Sequence, residues 1–169
     1  MTNSQMNNAE TKKITQRGLW FEEFEEGVRY LHRPGRTVTE ADNVLFTTLT
    51  MNTQALHLDA AYSEDTQFGV GLVNSVFTLS TIVGLSVAQL TQGTIVANLG
   101  FSDISFPKPL FHGDTLYAET LIADKRESKS RPGEGIVTLV HTGRNQHGDV
   151  VAVATRKTLV QLRPQGESS

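Results

Sequence analysis

The stretch Leu72–Leu90 reads LVNSVFTLSTIVGLSVAQL, and its spacing decides the fold. Leu72, Val76, Leu79, Val83, Val87 and Leu90 recur at intervals of three and four, the repeat of one helix face. Val73, Phe77, Ser80, Gly84 and Ala88 do the same on an adjacent face. A helix that is apolar nearly all round is expected to be enclosed by protein. Ser80, Gly84, Ser86 and Ala88 are small and let the surrounding backbone come close. The flanking sequence from Thr66 to Ser102 has no charged residue, yet Gln67, Asn74, Ser75, Gln89 and Gln92 interrupt it. A membrane span needs about 20 predominantly apolar residues with basic flanks, so the helix is read as buried in protein.

Beyond this helix the chain turns to strand pattern. Thr94–Phe106, Asp114–Lys125, Gly135–Asn145 and Val150–Leu162 are β-rich. Asn145–Asp149 and Ser130–Gly133 supply turns between them. Upstream, Val28–Arg33 reads as a short strand ending at Pro34-Gly35. Thr39 with Asp42 three residues on opens a helix of about 12 residues. The segment from Met51 to Asp59 reads as a polar connection, and a small helix runs from Asp59 to Ser63. The class is α+β: one domain in which a curved antiparallel sheet wraps a long central helix. Such a sheet keeps one side open, and pairing two units covers it, which predicts a homodimer. Residues 1–15 are expected to be a flexible tail, 16–163 the domain and 164–169 a short C-terminal tail.

The 169 residues suit a single domain. Fifteen Lys and Arg against 18 Asp and Glu give a net charge of −3, which speaks against a nucleic-acid footprint. The absence of cysteine excludes a disulfide scaffold, a Cys zinc site and a thiol nucleophile, and fits a cytoplasmic protein without a secretory signal. No HExxH, GxGxxG or GxSxG occurs, so neither a metal nor a nucleotide fold is inferred.

Among candidate site residues, His57 is a general base or a satisfied structural histidine. Asn52, five residues earlier, is a candidate for orienting a water or a carbonyl. Asn74-Ser75 stands at the start of the central helix, where free N–H groups hold a carbonyl oxygen as it becomes an enolate, or where the pair merely caps. Lys125, Arg126, Lys129 and Arg131 form either a phosphate clamp or a solvated hairpin tip. His112-Gly113-Asp114 is read as a tight turn. His32, His141 and His147 show no partner spacing.

Several of these segments together resemble the MaoC-like hydratases and dehydratases, which have the hotdog fold. Asn52-Thr53-Gln54-Ala55-Leu56-His57-Leu58-Asp59 has the spacing of that family's Asp-x-Asn-Pro-[Leu/Ile]-His-x-Asp motif. Asn74-Ser75 stands where the family has His-Gly. Phe106–Leu116, with Gly113-Asp114-Thr115-Leu116, resembles its strand lead-in, and Asn145–Val151 resembles its last hairpin. The resemblance covers about residues 18–162. Asn52 replaces the family's catalytic Asp and Gln54-Ala55 its Asn-Pro, leaving His57 as the ionisable residue. Met51–His57, Leu72–Leu79 and Lys125–Pro132 are similar to a branch that hydrates branched dicarboxyl-CoA thioesters such as mesaconyl-CoA and itaconyl-CoA.

The resemblance implies a hotdog homodimer acting as a hydro-lyase on an acyl-CoA thioester, with no cofactor. His57 would act on the water, Asn52 would position it and the Ser75 N–H would polarise the thioester. Asn74, Lys125, Arg126, Lys129 and Arg131 would contact substrate. A free carboxylate on the acyl group asks for an arginine, and Arg33, Arg36 and Arg156 are the candidates. The alternatives are a straight-chain enoyl-CoA hydratase, a hotdog thioesterase using Asp59, Glu64 or Asp65, and a non-catalytic acyl-CoA-binding protein.

Overall fold

The computed structural model describes residues 13–166, so the parts of the expected tails at 1–12 and 167–169 lie outside the described residues. In chain order the elements are a 3-10 turn (Phe21–Glu23), β1 (Arg29–Thr37), α1 (Glu40–Leu49), α2 (Ala55–Leu58), α3 (Ala60–Glu64), α4 (Ser75–Leu90), β2 (Ile95–Ser105), β3 (Thr115–Glu127), β4 (Glu134–Arg144) and β5 (Val150–Gln161). The strands form one antiparallel sheet in the order β1-β3-β4-β5-β2. α4 lies across its concave face.

Asn74 starts α4 by accepting the Val76 N–H on its side-chain oxygen. The β-branched residues in this helix are mediocre helix formers, so burial rather than propensity holds it. Its deepest line is Thr78, Ile82, Ser86 and Leu90, four residues apart. Thr78 and Ser86 donate their hydroxyls back to the carbonyls of Asn74 and Val83, which lets polar side chains sit in the core without stranded donors. Gly143 on β4 permits the close approach: a Cβ there would stand 2.7 Å from Ile82 Cγ2.

Three expectations are corrected. The strand read as ending at Pro34-Gly35 continues to Thr37 through an irregularity between His32 and Arg36, as an edge strand tolerates. The connection before Asp59 contains the helical turn α2, and Asp59 then caps α3 by accepting the Tyr62 N–H. The central helix, read as surrounded, is covered by its own chain on one flank alone. Val76 is 56% exposed, and Ser80, Gly84 and Ala88 are exposed along the same side. The neighbouring edge strand β2 is just as open, with Leu99, Phe101 and Ile104 in solvent. Periodicity reports that a face is apolar and is silent on which chain covers it.

At the opposite end, Trp20, Phe21 and Phe24 are buried and anchor the N-terminal segment. Phe21 packs flat on Gly135 of β4.

Candidate functional site

The N-terminus of α4 is where sequence-predicted residues come together. His57, on α2, donates from Nδ1 to the Leu72 carbonyl at 3.0 Å; a carbonyl can only accept, so this nitrogen carries the proton. With Nδ1 committed to that carbonyl, Nε2 is the nitrogen through which the ring would take up a proton as a general base. The loop around it is pinned by Asn43, which is fully buried. Its amide donates to the carbonyls of His57 and Leu72, and its oxygen accepts the Asn74 N–H. Asn43 passes unnoticed in the sequence because a single Asn inside a helix has no pattern to mark it.

His57 opens on a cavity of about 130 Å³, shared with Glu40, Asp59, Ser63 and His112. His112, read from sequence as a turn residue, thus lines the same space, and its Nε2 is buried without a partner. Ser75 lines a second cavity of about 320 Å³ with Phe68, Thr78, Phe106, Lys108 and Val151. Leu72 joins the two: its carbonyl holds His57 and its side chain lines the Ser75 cavity.

The Asn74 side chain takes the Val76 N–H, and its amide donates to Thr47. It is buried and acts as the cap. The Ser75 N–H stays as a first-turn donor with no acceptor among the described residues. Such a donor, at the positive end of the helix, suits developing negative charge on an oxygen. Asn52 uses its side-chain oxygen to accept the Gln54 N–H, which shapes the turn leading into α2.

The structure does not bring the hairpin cations to this end. Lys125 and Leu116 lie nine residues apart on β3, about 30 Å at the rise of a strand. Lys125 Nζ donates to the carbonyls of Phe21, Glu22 and Phe24 and stands 5.0 Å from the Phe21 ring. Arg131 pairs with Glu134 at 2.6 Å, and Arg126 reaches the Glu127 carbonyl. Lys129 sits with them at the exposed tip.

Of the three arginines considered for a carboxylate, Arg36 pairs with Asp42 at the surface. Arg33 lies over the Tyr117 ring and donates to the His32 carbonyl. Arg156 is 6% exposed, donates from Nε to Asn98, and leaves Nη1 buried and unpartnered.

Beside Arg156 a buried polar chain crosses the sheet. Gln89 accepts from His32 Nδ1, the Thr120 hydroxyl donates to His32 Nε2, and His141 Nδ1 donates to that hydroxyl. Burial, with the charge of Arg156 behind it, pushes the His141 pKa down to about 3, so the ring is neutral. Burial also lowers His32, against the pull of Gln89.

Comparison with known proteins gives these features a context. Residues 23–145 match the MaoC like domain family. A mesaconyl-CoA hydratase of Cereibacter sphaeroides is 28% identical over 149 residues, 88% of this chain and 43% of the relative, so the chain spans less than half of that protein. The (R)-hydratase from A. caviae involved in PHA biosynthesis has a TM-score of 0.67 and 29% identity, over 84% of this chain and 99% of its own. A Mycobacterium tuberculosis protein with a double hotdog fold gives a TM-score of 0.76 at 21% identity, over 90% of this chain and 47% of its own.

Proposed function

The chain belongs to the MaoC-like domain family, with the hotdog fold, and from that premise we propose that it is a hydro-lyase acting on an acyl-CoA thioester. The observation that carries the reading is the pairing of an acceptor nitrogen on His57 with an open helix N-terminus three residues beyond the carbonyl that fixes the ring. In the hydration direction, His57 Nε2 takes a proton from water as its oxygen bonds to the β-carbon. The alkene electrons move into the thioester, and the resulting enolate oxygen rests on the Ser75 N–H. The imidazolium then returns its proton to the α-carbon. Asn52 orients the water from the turn before α2. Dehydration is the same path reversed.

For the substrate we propose a branched dicarboxyl-CoA such as mesaconyl-CoA, supported by the C. sphaeroides relative. The straight-chain enoyl-CoA reading keeps support from the A. caviae structure, 99% of which this chain matches. The working unit is a homodimer, supported by the exposed apolar flank of α4 and the open edge β2. The test is kcat/KM for mesaconyl-CoA, itaconyl-CoA and crotonyl-CoA. The expected order puts a carboxylated ester first; crotonyl-CoA first favours the straight-chain reading, and no water added to any of the three refutes the hydratase.

A further inference from the structure

A cavity of about 390 Å³ lies between the open flank of α4 and the edge of the sheet. Val76, Leu79, Val83 and Phe101 line it, and Arg156 lies among them. Among the described residues no acidic side chain lines it. An arginine keeps its charge at any ordinary pH, and a buried charge without a counter-ion is destabilising. Asn98 relieves one N–H of the guanidinium, while Nη1 is left buried and bare. His141 cannot help as an anion would, because an imidazole is either neutral or positive. Among the described residues, the fold therefore holds a buried cation in a largely apolar cavity without a counter-charge.

We propose that Arg156 receives the free carboxylate of a dicarboxylic acyl-CoA and thereby selects that substrate class. This rests on the reading of the chain as an acyl-CoA protein and names the residue that sets its acyl specificity.

Four observations favour a carboxylate of that origin. The cavity is lined by Val76, the helix residue that follows Ser75, whose N–H is the proposed holder of the thioester oxygen. Its helical wall runs from Val76 to Val83, about 10 Å of axis. A four-carbon diacyl chain spans about 5 Å, and a hydrogen bond of about 3 Å at each end brings the total to the same length. A single planar guanidinium in apolar walls fits one carboxylate by two parallel hydrogen bonds, whereas the phosphates of CoA carry more charge than one cation meets. The aliphatic walls accommodate a methyl branch.

The test uses saturated esters, which bind but have no double bond to hydrate. Calorimetry with methylsuccinyl-CoA and butyryl-CoA gives the ratio of their dissociation constants. The wild type is expected to favour methylsuccinyl-CoA by at least about 10²-fold, since a site built for a charge rejects the ligand lacking it. Arg156→Met should bring the ratio near one, and Arg156→Lys should keep part of it. Ser80→Glu, on the cavity wall, supplies an internal carboxylate and should erase the preference with Arg156 intact. The last variant keeps the test alive if Arg156→Met does not fold. An unchanged ratio in Arg156→Met or Ser80→Glu, or a wild type that prefers butyryl-CoA, overturns the proposal. So does an Arg156→Met that alters assembly and leaves the ratio intact, for the arginine would then pair across subunits. A wild type that keeps the ratio but hydrates no enoyl-CoA refutes the hydratase and leaves the Arg156 assignment standing.

Discussion

The two flanks of α4 are made from the same kinds of residue and end in opposite states. On the flank facing β3 and β4, Thr78, Ile82, Ser86 and Leu90 are buried and the hydroxyls are satisfied within the helix. Even the histidines beneath are linked through Thr120. On the flank facing β2, Val76 and Ser80 stand in solvent, and Arg156 lies buried with a bare N–H. The chain completes one flank and leaves the other for something outside it. A second copy suits the apolar part, and an anionic ligand suits the cation.

The largest effect is expected at His57, which the Leu72 carbonyl holds just ahead of α4. His57→Ala should lower kcat by roughly 10²–10⁴, and Asn52→Ala by less under the proposal that Asn52 orients the water, since an amide exchanges no proton. Stopped-flow loss of the enoyl thioester absorbance reads both; an unchanged rate in His57→Ala places the chemistry elsewhere.

Packing gives the next contrast. Ile82→Ala removes a fully buried side chain and should cost about 2–5 kcal/mol in urea unfolding. Val76→Ala should cost under about 0.5 kcal/mol if that flank meets only water. A larger loss that grows with protein concentration means that a second copy covers it. Equal costs at all concentrations would erase the distinction between the flanks.

The buried histidines predict an acid effect. The His141 pKa is held down to about 3, so as pH falls the unfolded chain takes up a proton first. Its contribution is complete above about pH 6.5 and is lost toward pH 3, at up to about 1.4 kcal/mol per unit. His32 acts in the same direction. His141→Gln should flatten the decline of melting temperature between pH 7 and 4; an identical slope would show that the ring is not what the acid titrates.

The smallest effect belongs to the hairpin. Lys125 is committed to the N-terminal carbonyls, so Lys125→Ala should lower stability by about 1 kcal/mol and leave KM for CoA esters unchanged. A raised KM would return the hairpin to the substrate, by way of a second copy.

Local chemistry made much of this legible. The four long strands, the central helix and the Thr39 cap declare themselves through period and turn residues. His57 stands out by its spacing from Asn52. What stayed hidden depends on distance across the fold. The cations Lys125, Arg126, Lys129 and Arg131 are neighbours in sequence, but only the strand shows that Lys125 lies nine residues from Leu116, about 30 Å along β3. Arg33, Arg36 and Arg156 are equivalent as letters, and only burial separates them. Asn43 acts through partners 14 and 29 residues away, so no local pattern announces it.

The claim that the β2 flank of α4 is completed from outside is tested most directly by sedimentation velocity on the active wild-type protein at micromolar concentration. A single species near 37 kDa, twice the chain mass of 18.6 kDa, is the predicted result. A fully active species at 18.6 kDa would contradict it.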